Sequence, residues 1–207
     1  MQVSRRQVVI GSAALIGLAR AGHSQLLIET SDQDLGPFYP VKKPSDTDAD
    51  LTRLRGARAA ARGEPINVIG RILDIKGNPV RGARVEIWQA NSFGRYDHPG
   101  DAKRGLPPDP NFQGYALLKT DRQGHFRFRT IRPGLYARRT RHIHFDVQGH
   151  NERLITQMYF PGEARNQTDE ILRTADEPNT LIARRIQPLS GDFAAAAYAW
   201  DIVLAEG

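Results

Sequence analysis

Two imidazoles sit two residues apart in His142-Ile143-His144, with a phenol six positions upstream at Tyr136 and another at Tyr96. In an extended strand, side chains alternate faces, so His142 and His144 point the same way. Two neutral imidazoles on one face make half of a metal site. Tyrosines make an unusual other half. Zinc favours His, Cys and carboxylate, whereas hard phenolate oxygen suits a small, highly charged cation such as ferric iron, Fe(3+). A free phenol loses its proton only near pH ~10, and a bound metal inverts that preference. If the four residues converge, the chemistry is oxidative. His98, two residues from Tyr96, keeps open a zinc or copper set of His98, His142 and His144. His125 and His150 are weaker candidates, and His125 falls in an alternating strand beside arginines.

The elements that must position these residues read as β. Residues 66–74, 83–88, 115–120, 125–130, 142–148, 154–159 and 197–204 are rich in β-branched and aromatic residues and partly alternate. Turn chemistry separates several of them, as in Lys76-Gly77-Asn78-Pro79 and Asp121-Arg122-Gln123-Gly124. Ile143 and Phe145 face away from the two histidines, toward a core. Short strands with little helical periodicity predict an all-β, antiparallel β-sandwich with long functional loops. Residues 66–207 form that domain. The connection 89–113 holds Pro99, Pro107, Pro108 and Pro110, and a connection of this length is usually functional. Residues 22–65 form an N-terminal arm carrying Gly36-Pro37-Phe38-Tyr39, and residues 169–174 a helical turn.

The ends and the charge bound the rest. There is no cysteine among 207 residues, which removes disulfides, thiolate nucleophiles and iron–sulfur ligation. Residues 1–21 combine Arg5-Arg6, an apolar run and Ala19-Arg20-Ala21, the pattern of a cleavable twin-arginine signal. That predicts a periplasmic or secreted protein, with no membrane anchor after cleavage. Arg5, Arg6 and Arg20 supply half of the formal +6 charge. The remaining arginine excess is scattered, without the basic stripe and interleaved aromatics of a nucleic-acid surface.

The ordered segments resemble the intradiol ring-cleavage dioxygenases, non-haem ferric enzymes similar to protocatechuate 3,4-dioxygenase. The segments are Gly36-Pro37-Phe38-Tyr39, the run from Gly77 to Asn91 ending Val85-Glu86-Ile87-Trp88-Gln89-Ala90-Asn91, Gly94-Arg95-Tyr96, Asp109-Pro110-Asn111-Phe112, Phe128–Tyr136, His142–Phe145 and Leu154–Phe160. The resemblance runs from about residue 30 to the C-terminus. It implies that Tyr96, Tyr136, His142 and His144 ligate iron, Tyr136 and His144 axially. It implies that Arg139 stands beside the metal, with Arg138 and Arg141 competing for that place. Gly36, Pro37, Trp88 and Gln157 would line the pocket. The implied reaction joins a catecholic ortho-diol and O2 to give a cis,cis-muconate, and the implied assembly is a homo-oligomer or a two-chain unit. The stretch between Tyr136 and His142 is shorter than in protocatechuate dioxygenase, which alters the substrate mouth. The Gly77–Val85 signature also resembles transthyretin-like β-sandwich binding modules, which need no metal.

Overall fold

The computed structural model describes residues 26–188 and 195–207. The signal expected at residues 1–21 lies outside them. Among these described residues, nine strands form two sheets. They are β1 (Pro65–Asp74), β2 (Arg84–Trp88), β3 (Tyr115–Lys119), β4 (His125–Ile131), β5 (His142–Gln148), β6 (Arg153–Tyr159), β7 (Arg184–Ile186), β8 (Ala196–Ala199) and β9 (Ile202–Leu204). One sheet has the order β4-β1-β8-β7, with β9 also on β1; the other is β3-β2-β5-β6. This is the expected all-β sandwich, and the second sheet is wholly antiparallel. In the first sheet, β8 and β9 run parallel to β1.

The last strand departs from expectation by breaking in two at Trp200-Asp201. Trp200 turns its indole into the core, and the Asp201 carboxylate accepts the Arg71 backbone N–H, taking the place of a backbone carbonyl. Strand β7 was not legible at all. It is a three-residue segment with two exposed arginines, too short to alternate. Residues 42–65 form turns and bends without the short helical turn their composition suggests. The helical turn at 169–174 is present as α1 (Glu170–Arg173), with Asp169 as N-cap.

The core lies between the sheets. Ile143, Phe145 and Val147 of β5 face Ile66, Val68, Phe126 and Phe128 of the other sheet, with the Phe145 ring 5.0 Å from Trp200. Alternation then sends His142, His144 and Asp146 to the opposite face, with Glu86 and Trp88 of β2 and Gln157 and Tyr159 of β6. Register aligns Trp88, His144 and Gln157 in a row across three strands. The N-terminal arm covers this face. Its backbone bonds to Ile155 through Gln33, and Asp34 accepts from the Gln157 amide. Trp88, Tyr96 and Tyr115 thus form a second apolar layer with Phe38 and Tyr39.

Candidate active site

Strand β5 supplies the two histidines, each 4 % exposed. Tyr96 comes from the loop after β2 and Tyr136 from the loop after β4. Two glycines bring those loops together. A Cβ on Gly94, at φ +82°, would lie 2.1 Å from the Leu135 carbonyl oxygen, and one on Gly134 would lie 2.1 Å from the Gly94 nitrogen. Both loops hang from one carbonyl, since Gly94 and Gly134 each donate to Asn91. Asp101, fully buried, accepts the Tyr96 backbone N–H and fixes the start of the loop.

The Tyr96 hydroxyl lies 3.1 Å from the Nε2 of both His142 and His144. His142 holds its Nδ1–H on the Thr140 carbonyl at 2.8 Å, so its Nε2 carries a lone pair toward the tyrosine. The hydroxyl can donate to His142 and accept from His144 only if His144 carries its proton on Nε2. His144 Nδ1 is buried without a partner in either tautomer. Burial, then the Arg139 guanidinium, pushes His142 down to about 4, and burial with His142 beside it holds His144 well below the ordinary range. Burial also pushes the Tyr96 phenol up, against the pull of Arg139. Two imidazole nitrogens facing one phenol oxygen are a donor set that a cation would fit, and a cation there would favour tyrosinate.

Tyr136 joins through its ring, edge-on to Tyr96 at 5.6 Å and to Phe38 at 5.3 Å. Arg104 lies over its outer face at 4.3 Å. Its hydroxyl bonds to none of the other three residues. Among the described residues no three His, Cys, Asp or Glu side chains gather to hold a metal, so any metal set here requires tyrosine. This corrects the zinc or copper alternative. His98 packs on Phe38 and accepts the Gly100 N–H, and it does not join His142 and His144. His125 is exposed beside Asp121, and His150 is exposed.

The three arginines separate cleanly. Arg138 is exposed, and Arg141 turns to the Pro133 carbonyl and Glu163. Arg139 turns inward, and its Nη2 reaches Gln157 Oε1 at 2.8 Å and the Tyr159 hydroxyl at 2.7 Å. Trp88 stacks on the His144 ring at 4.9 Å. Gly36 approaches the other side of that ring at φ +77°, where a Cβ would lie 3.1 Å from His144 Cε1. Pro37, next to it, is exposed. Sequence reasoning missed Thr140, Tyr159 and Asp169. Alternation along β6 puts Tyr159 on the Gln157 face, a signal that was available.

A family model described as Dioxygenase matches residues 35–206. The chain is 41 % identical over 179 residues to the beta chain of protocatechuate 3,4-dioxygenase of Burkholderia cepacia, covering 81 % of this chain and 76 % of that one. It is 30 % identical to hydroxyquinol 1,2-dioxygenase of Rhizobium sp. (strain MTP-10005), covering 66 % of this chain and 50 % of that one. It therefore spans about half the length of that relative. The dioxygenase domain of a dioxygenase carbohydrate-binding protein fusion from Streptomyces sp. SirexAA-E superposes with TM-score 0.68 at 29 % identity, covering 87 % of this chain and all of that one. The fold is that of an enzyme class that opens catechol-type rings. The chain belongs to the intradiol ring-cleavage dioxygenase family, not to the metal-free binding modules that share its sandwich signature.

Proposed function

We propose that this chain is a non-haem iron(III) dioxygenase. It opens a catechol-type ring between its two hydroxylated carbons with O2 and releases a cis,cis-muconate-type product. The observation that carries the reading is the convergence of Tyr96 Oη with the Nε2 atoms of His142 and His144 at 3.1 Å, two buried imidazoles facing one hard oxygen. Tyr96, Tyr136, His142 and His144 would hold ferric iron, which supplies Lewis acidity toward the diol and its ring.

The protein's own part is to bind, orient and handle protons. Tyr136, half-buried at the loop mouth, is placed to take a proton from an incoming diol hydroxyl when ionised. Arg104 and Arg139 both pull toward that ionised form, against burial. Phe38 and the two tyrosine rings form an aromatic wall for a flat substrate. Arg139 presents a fixed cation to negative charge that develops on the ring oxygens. Gly36 leaves room over His144 that a side chain would fill.

Segment 1–21 would export the folded, metal-loaded protein by the twin-arginine route to the periplasm or outside the cell, and the mature chain would assemble as a homo-oligomer. N-terminal sequencing of the exported protein and light scattering test these two points. The central test is purified protein loaded with ferric iron and offered a panel of catechols. Visible colour from tyrosinate-to-iron charge transfer, O2 uptake and muconate absorbance are expected, and Tyr96→Phe should shift or bleach the colour. A colourless protein holding one iron per chain would overturn the ligand set.

A further inference from the structure

The Arg139 guanidinium could rotate freely were it held only by Gln157 and Tyr159. It is instead braced from behind. Asp169, which lies in the loop before α1 and is fully buried, receives Arg139 Nε at 2.8 and 3.1 Å through its two oxygens. The same carboxylate accepts the Thr140 backbone N–H at 2.7 Å and the Leu172 backbone N–H at 3.2 Å. Thr140 is pinned further by its hydroxyl, which donates to Asn166 at 2.8 Å. Its carbonyl receives the Nδ1–H of His142. One buried carboxylate thus sets the aim of the arginine and the height of the carbonyl that orients a histidine.

We propose that Asp169 is the positioning residue of this site, acting through Arg139 and Thr140 without touching substrate. The proposal rests on the functional reading above for its kinetic consequence, but not for its structural one. The short turn between Tyr136 and His142 makes the brace necessary. The Arg139 N–H closes on the Tyr136 carbonyl at 2.8 Å, and Ala137 takes a left-handed φ of +46°. The direction of the Arg139 side chain is then set by partners outside the turn, among them the carboxylate 30 residues later. Asparagine at 169 keeps the volume, but its single oxygen cannot serve all three donors. With the Leu172 cap kept on that oxygen, its amide nitrogen faces the Arg139 Nε–H and the Thr140 N–H; turned over, it faces the Leu172 N–H and gives up the cap.

The test is Asp169→Asn, read in two ways. In the metal-free protein, the ¹⁵N–¹H signal of Arg139 Nε, assigned by its loss in Arg139→Lys, should exchange slowly in the wild type. In Asp169→Asn it should broaden or vanish while the backbone spectrum of the two sheets is kept. In the iron-loaded enzyme, kcat should fall about tenfold to a hundredfold with the charge-transfer colour retained, and KM for the diol should stay within about threefold. A retained Nε signal together with wild-type kcat would overturn the proposal. So would a loss of kcat that follows loss of iron or of folded protein in proportion, since that is a merely structural role. If the wild type opens no catechol, the functional reading fails, and the Nε signal alone decides whether Asp169 positions Arg139.

Discussion

One face of the β3-β2-β5-β6 sheet carries two buried polar clusters, two residues apart along the strands, with opposite hydrogen-bond accounts. Glu86 pairs across the sheet with Asp146, and both carboxylates are closed by donors. Glu86 receives Lys43, Arg84 and the Tyr39 hydroxyl, and Asp146 takes the Arg153 guanidinium through both oxygens. Burial would raise the Glu86 carboxyl, but hydrogen bonds from Lys43 and Tyr39 outweigh it and hold it below its usual range. Two residues along, Tyr96 faces both His142 and His144, and His144 Nδ1 has no partner. Both clusters are buried and both border Trp88 or its neighbours. The satisfied one is a structural fastening for the N-terminal arm, and the other holds the atoms proposed to take the metal.

The comparison breaks most visibly at its unsatisfied end. His142→Ala should abolish ring cleavage and iron colour in the purified protein while the far-ultraviolet β spectrum stays, because the histidine faces away from the sandwich core. At the satisfied end, Glu86→Gln should do the reverse. It should cost about 2 kcal/mol in urea unfolding, the price of leaving buried donors poorly paired, with activity per folded molecule unchanged. Loss of iron colour in Glu86→Gln would erase the distinction between the two ends.

Acid sharpens the contrast. In the metal-free protein His142 titrates at about 4 in the fold, below the ordinary 6.5. The unfolded chain therefore takes up the proton first as pH falls. The stability due to neutral His142 is whole above about 6.5 and is lost progressively down to about 4, in total about 3 kcal/mol. Urea unfolding across that range should show a steeper loss in the metal-free wild type than in His142→Gln. Equal slopes would argue that the imidazole is not held neutral.

Smaller effects follow at the edges. Gly36→Ala must accept a left-handed backbone and press on His144, which should cost about 1–2 kcal/mol of stability and raise KM more than it lowers kcat. His98→Ala should leave iron content unchanged, because that ring is turned to Gly100 and Phe38. Metal loss in this variant, measured by elemental analysis, would reopen the three-histidine alternative.

How much of this was legible depends on how far each signal travels along the chain. The faces of β5 followed from alternation, and packing agrees: Ile143, Phe145 and Val147 join the core between the sheets, while His142 and His144, also buried, lie on the opposite face. Asp169 was readable as a helix cap, since that bond is local. Its bond to Arg139, 30 residues earlier, was not. The resemblance pointed to Arg139, but spacing alone did not separate it from Arg138 and Arg141, because three arginines in four positions look alike until a tight turn points them in different directions.

The sequence by itself determined most of the strands, the pairing of the histidines on one face, and the family. Those properties reside in residue type and in spacings of a few residues. Only the tertiary structure decided that the Tyr96 and Tyr136 loops meet. It also decided which arginine turns inward, and that one end of a polar sheet face is closed by its own side chains while the other is left open. Each of these depends on contacts between distant segments, such as Gly94 against Leu135 and the arm over His144. The free energy of those contacts comes from packing and desolvation, which no local pattern encodes.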